Sequence, residues 1–204
     1  MRIRQHVNPR DAFFETFRGQ KPVLDPSRQL ELEIGCADAQ FLFERAAADP
    51  ARQYVGLEIR EDLVHYVAKK ARTTGLPVQA VWCHAQLHIK DVFPAAAAAR
   101  VYVNFPDPWF KRRHHVRRMV DPVLAEQIAY VLAPGGELFV QTDVWDIAID
   151  AMSSFDGDVD ERFVNLAGEW TFWKQGNPYG VRSWREQNAE ETGLPIWRIL
   201  YRRS

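Results

Sequence analysis

A chain of 204 residues, 47% hydrophobic and 26% charged, is long enough for the core of one α/β domain and has the mix of a folded protein rather than a disordered or fibrous one. Its formal net charge of −1 argues against a protein covered in basic residues for wholesale nucleic-acid binding. The longest weakly charged apolar stretch, 92–99, is interrupted by Pro94 and closed by Arg100. It is too short to cross a bilayer, so no membrane partner is expected.

The first 28 residues are polar, with Phe13, Phe14 and Phe17 at helical spacing and Pro22 and Pro26 behind them, which predicts a short helix and then a loop. Arg2 and Arg4 open the chain but no apolar run follows them, so no secretory signal is expected. From residue 29 strands and helices alternate. The pattern predicts strands at 29–34, 54–59, 78–83, 100–105 and 137–142. It predicts helices at 41–48, 61–73, 122–132 and 144–155, the last helix but one ended by Pro134, Gly135 and Gly136. Residues 196–201 alternate less clearly and are expected to add an edge strand. Such an order implies an α/β fold: a mostly parallel sheet with helices on both faces, in one domain whose catalytic part is 29–204. Ligands of such sheets bind beyond the carboxyl ends of the strands. Cys36 and Cys83 are the only cysteines, so no metal cluster is expected and a reducing cytoplasm is the expected compartment. Cys83 reads as a buried strand thiol and Cys36 as a small loop residue.

The turn after the first strand, Glu33-Ile34-Gly35-Cys36-Ala37-Asp38-Ala39, has the tiny residues that let backbone approach a nucleotide. Its second and third glycine positions are held by Ala37 and Ala39. Glu58 follows Gly35 at the distance where a strand-end carboxylate holds a pair of ribose hydroxyls. Asp38 at the start of the next helix would repel a pyrophosphate, and Glu33 adds negative charge. A ligand carrying a sulfonium and an amino group suits both acids, which points to S-adenosyl-L-methionine rather than NAD.

The most informative stretch follows the fourth strand: Asn104-Phe105-Pro106-Asp107-Pro108-Trp109-Phe110-Lys111-Arg112-Arg113-His114-His115-Val116-Arg117-Arg118. Two prolines pin Asp107 in an extended turn. Trp109 offers a face to a base, Asp107 an acceptor to its donor edge, and five cations offer partners to phosphates.

This segment resembles the signature of the tRNA (guanine-N7)-methyltransferase family. Glu33-Ile34-Gly35 is similar to that family's cofactor loop and Gly56-Leu57-Glu58 to its ribose-binding strand end. Pro134-Gly135-Gly136 with Thr142-Asp143 resembles its Pro-Gly-Gly and Thr-Asp element. Ser183-Trp184-Arg185-Glu186, Gly193 and Trp197 resemble its C-terminal pattern. The resemblance spans about residues 29–201. It implies the Rossmann-like class I methyltransferase fold with an antiparallel last strand. It implies methyl transfer from S-adenosyl-L-methionine to N7 of a guanine in the tRNA variable loop. Glu33, Gly35, Glu58, His84 and Asp107 would contact the cofactor, with Asp107 the catalytic carboxylate. Lys111, Asp143, Ser183 and Glu186 would contact the tRNA. Four departures stand out: the two loop alanines, His84 where the family has Asp or Asn, Ser183 for Thr, and Arg198 where an acid is frequent. They keep two alternatives open, a methyltransferase with another substrate and an RNA-binding protein with a degenerate cofactor site. The sequence does not reveal the oligomeric state.

Overall fold

Odd and even side chains of the central strands go to opposite faces of one sheet, and each face recruits its own helices. In a computed structural model, which describes residues 7–204, the strands are β1 (Leu30–Ile34), β2 (Gln53–Glu58), β3 (Val78–Trp82), β4 (Ala98–Asn104), β5 (Leu132–Thr142), β6 (Phe163–Asn165) and β7 (Trp197–Arg203). The helices are α1 (Gln40–Ala48), α2 (Glu61–Thr74), α3 (Ala85–Val92), α4 (Pro122–Val131), α5 (Trp145–Phe155) and α6 (Trp184–Glu191). Leu32, Val101, Val103, Leu138 and Val140 pack with Ile89, Leu124, Ile128 and Met152 on the side of α3, α4 and α5. Tyr54, Tyr102 and Phe139 project the other way, onto Phe41 and Leu42 of α1, Val67 of α2 and the Tyr179–Val181 segment. Each buried aliphatic side chain contributes about 1.5–3 kcal/mol, so the two faces hold the sheet from both sides.

The strand order is β3-β2-β1-β4-β5-β7-β6. β1 pairs in parallel with both β2 and β4, and β4 in parallel with β5. The order therefore reverses between β1 and β4, where a crevice opens at the carboxyl ends. Gly56 lets β2 lie close to the loop after β1, since a Cβ there would stand 2.2 Å from Cys36 Sγ. α4 starts where Asp121 accepts a hydrogen bond from the Leu124 N–H at 2.8 Å and Pro122 takes the first turn.

The parallel sheet, its helices on both faces and the antiparallel last strand agree with expectation. Several boundaries do not. The expected edge strand, β7, lies between β5 and β6 and pairs antiparallel with both. The edge is instead the three-residue β6, too short to register as an alternating pattern. β5 begins at Leu132, directly after α4, so Pro134-Gly135-Gly136 falls within the strand rather than before it. The N-terminal phenylalanines form only a 3₁₀ turn, Ala12–Glu15. Arg2 and Arg4 lie outside the described residues. α3 and α6 were not expected. α6 buries only Glu186 and Ala189, so no apolar stripe announces it. Among the described residues no helix is long and apolar enough to cross a membrane.

Candidate active site

The reversal point holds a cavity of about 840 Å³, bounded by the ends of β1, β2 and β4 and by the turns that follow β3, β4 and β5. Its floor is the turn after β1. The Gly35 and Cys36 N–H groups both donate to the Leu57 carbonyl, at 2.8 and 3.1 Å, which draws the turn against β2. Gly35, Ala37 and Ala39 have φ of 73°, 50° and 54°. All three are left-handed, so the loop keeps a glycine loop's shape although two of its residues carry a Cβ. That conformation costs an L-residue about 1–2 kcal/mol.

The Ala37 N–H donates to Glu58 Oε2 at 2.9 Å, which helps hold the strained loop. Arg60 also reaches Glu58, through its backbone N–H at 3.0 Å, Nε at 2.8 Å and Nη2 at 3.0 Å. The carboxylate thus lies at the cavity wall with its oxygens already engaged, and a ribose would share them with the Arg60 fork. Cys36 and Cys83 are buried free thiols. Burial pushes the Cys83 thiol up to about 12 and holds the Cys36 thiol well above its ordinary value, so neither is a nucleophile at neutral pH.

Two buried atoms break the general satisfaction of polar groups. Among the described residues, the buried side-chain N and O atoms without a hydrogen-bond partner are Glu33 Oε2 and His84 Nδ1. Both residues line this cavity. An unmet buried polar atom costs roughly 1–3 kcal/mol, and two such atoms in one cavity mark a place shaped for a ligand with polar groups at both ends. Burial lowers the pKa of His84, with a smaller push from His88, so its ring is neutral at pH 7.

Asp107 stands exposed at the rim. Phe105 and Trp109, on either side of the Pro-Asp-Pro turn, have φ of 48° and 45°, a strained backbone that fixes where the carboxylate stands. Trp109 does not offer the open face expected of it. The Arg117 guanidinium lies 5.1 Å from its ring centre and His114 meets it edge-on at 5.9 Å. The basic run also divides. Arg118 is buried and bonds to the Pro108 carbonyl at 3.0 Å and to Asp150 at 2.7 Å, so it clamps the turn to α5. Lys111, Arg112 and Arg113 are exposed.

Asp143 and Ser183 border the same cavity. Asp143 is held by Arg185, and Ser183 Oγ caps α6 by accepting from the Glu186 N–H at 3.2 Å. Lys111 and Glu186 are not brought to the cavity. Glu186 is buried, accepting from Gln141, Asn177 and Arg198 at 3.0, 2.9 and 2.8 Å. Sequence reasoning passed over Arg60, Asn104, Gln141 and Arg185. Arg60 is two residues beyond Glu58 and could have been read from that spacing. The two amides carry no sequence signal for what they touch.

A family model described as "Putative methyltransferase" matches residues 27–199. A Synechococcus sp. (strain WH7803) protein named tRNA (guanine-N(7)-)-methyltransferase is 39% identical over 99% of this chain and 88% of its own. A protein of the same name from Nostoc sp. (strain PCC 7120 / SAG 25.82 / UTEX 2576) is 35% identical over 100% and 95%. The chain belongs to the tRNA (guanine-N7)-methyltransferase family. Among solved structures, a 16S rRNA methyltransferase, KamB, superposes with a TM-score of 0.61 at 14% identity, over 86% of this chain and 88% of that one. An rRNA methylase from Streptococcus thermophilus gives 0.53 at 12%, over 87% of each. These two speak for the fold alone.

Two of the departures from the family pattern acquire physical reasons here. Arg198, standing where the family frequently has an acid, pairs with both Glu186 and Glu190. Ser183 keeps the hydroxyl that caps α6.

Proposed function

We propose that the protein transfers the methyl group of S-adenosylmethionine to N7 of a guanine in the variable loop of tRNA, in the cavity at the β1–β4 reversal. The pair of unmet buried atoms, Glu33 Oε2 and His84 Nδ1, carries this reading from the structure. They suit the amino groups at the two ends of that cofactor, and Glu58 between them suits its ribose. The donor set therefore fits the group. When bound, the cofactor supplies an electrophilic methyl carbon.

The protein's own residues bind and orient. Gly35 and the left-handed loop leave room for close backbone approach. Glu33 receives a cation, and the neutral His84 ring, with Nδ1 as a lone pair, accepts from an amine. Asp107 faces the guanine. N7 has a free lone pair, so no residue has to remove a proton first and catalysis rests on alignment. Once N7 is methylated the purine is cationic, and the Asp107 carboxylate beside it opposes that charge or anchors the N1 and N2 donors. Asp143 and Ser183 border the path of the target nucleotide. Lys111, Arg112, Arg113 and Arg117 hold phosphates, without base specificity. A tRNA substrate places this work in the cytoplasm.

Incubation with methyl-labelled cofactor and bulk tRNA, followed by digestion to nucleosides, tests the reading. Label in 7-methylguanosine is expected, and chain scission at that base places it in the variable loop. Label in another nucleoside would replace the substrate assignment, and binding of RNA without any transfer would favour an RNA-binding protein.

A further inference from the structure

Glu33 is the most burdened acid in the cavity. It is 4% exposed, and its Oε1 accepts one hydrogen bond, from Asn104 Nδ2 at 2.8 Å, while Oε2 has none. Its charged surroundings are unfavourable to a second anion. The Asp38 and Glu58 carboxylates act on it through space, and the nearby Arg60 guanidinium is committed to Glu58. Cys36 on its own turn is a neutral thiol. Asn104 on β4 and Gln141 on β5 are uncharged. Asp107 shares the cavity, and Asp143 there is held by Arg185.

The donor on Oε1 is set by a directed chain. Arg198 Nε donates to Gln141 Oε1 at 3.3 Å. A guanidinium has no acceptor, so the Gln141 oxygen must face it. Gln141 Nε2 therefore faces Asn104 Oδ1, at 2.9 Å, and Asn104 can offer Glu33 only its NH₂. The amides cannot flip without losing a bond at each link. Glu33 is thus given one neutral donor and no cation.

We propose that Glu33 gives up a proton to solvent when it takes the ammonium group of the cofactor, and that Asn104, oriented by the Arg198–Gln141 chain, is a positioning residue that leaves Oε2 free for that group. The inference rests on the cofactor site described above. The O–H bond of the carboxylic acid breaks, the proton leaves to buffer, and the carboxylate pairs with the incoming cation. Burial, opposed by the Asn104 hydrogen bond and aided by the Asp38 and Glu58 charges, pushes the Glu33 carboxyl up to about 8. The unliganded acid is therefore mostly protonated at neutral pH, and an arriving cation lowers its pKa.

Calorimetric titration of S-adenosylmethionine into the full chain, in two buffers of different ionisation enthalpy, counts the protons. At about pH 6.5 the wild type should release close to one proton per cofactor, and its affinity should rise up to about tenfold per pH unit until about pH 8. Glu33→Gln keeps the shape and neutrality of the protonated acid, so it should fold, bind weakly, release no proton from this position and lose the pH slope. Asn104→Ser removes the amide donor and should move the levelling of affinity to higher pH. If Asn104→Ser does not fold, Gln141→Asn, shorter by a methylene, breaks the same chain one link earlier. Binding by the wild type with no proton release would overturn the inference and leave the cofactor site standing. An equal loss of affinity at every pH in the Asn104 variant would assign that residue a structural role only. No binding heat at all would remove the site and the inference together.

Discussion

Ala37 shows how a single φ angle explains a departure from a pattern. The sequence presents an alanine where a nucleotide loop has glycine, and on composition alone that weakens the loop. The structure shows that the left-handed turn survives, at φ 50°, because the Ala37 N–H is tied to Glu58 and the neighbouring N–H groups to Leu57. Ala37→Gly should then relieve strain. Its stability in urea should stay within about 0.5 kcal/mol of wild type or exceed it, against the loss of roughly 1 kcal/mol usual for alanine to glycine. A full loss would mean that the residue is not strained. At this scale the sequence was legible where chemistry is written in residue type: Glu33, Glu58, His84 and Asp107 all border the cavity. It was not legible where a contact depends on packing. Nothing in the letters says that Trp109 is covered by Arg117, or that Glu186 is buried behind the site rather than in it.

The basic run is one stretch of sequence with two structural jobs. Counted by charge, its cations look equivalent. Placed in the fold, Arg118 belongs to the clamp between the Pro-Asp-Pro turn and α5, while Arg112 and Arg113 face solvent. Replacing Arg112 and Arg113 by alanine should leave the melting curve unchanged and flatten log affinity for tRNA against log salt by at most about 2 units. Arg118→Ala should instead lower stability by about 1–3 kcal/mol, since bonds to a charged, buried group are lost and the Pro108 carbonyl is left unmet. The opposite pattern, a flattened slope from Arg118 alone, would contradict this division. Helix α6 makes a related point. Its apolar pattern is nearly absent, yet Ser183 three residues before Glu186 is a cap signature readable from the sequence. Strand β6 has no such mark, being three residues long and held by pairing with β7.

Across the whole molecule, buried charge connects the cavity to the antiparallel end of the sheet. Glu186 receives Gln141, Asn177 and Arg198, and through Gln141 and Asn104 this cluster reaches Glu33. Removing Glu186 takes from Arg198 the nearer of its two carboxylates and from the Gln141 and Asn177 amides one acceptor each. Glu186→Ala should therefore cost about 3–5 kcal/mol in denaturant unfolding, far more than a surface carboxylate; a change under about 0.5 kcal/mol would show that the cluster does not support the fold. The parallel sheet with helices on both faces followed from alternation, because βα units leave few ways to close a sheet, while the strand order came from the structure. The antiparallel sense of the last strand came from the resemblance, whereas the insertion of β7 between β5 and β6 depends on long-range pairing and came only from the structure. The central claim is that this cavity methylates guanine N7 by alignment, with Asp107 acting as a charge and not as a base. Single-turnover methylation of tRNA by Asp107→Asn, at saturating cofactor and several pH values, tests it most directly. The account predicts a rate at least about tenfold below wild type at every pH, the factor corresponding to 1.36 kcal/mol of lost stabilisation. A normal rate, or recovery as the pH is raised, would contradict it.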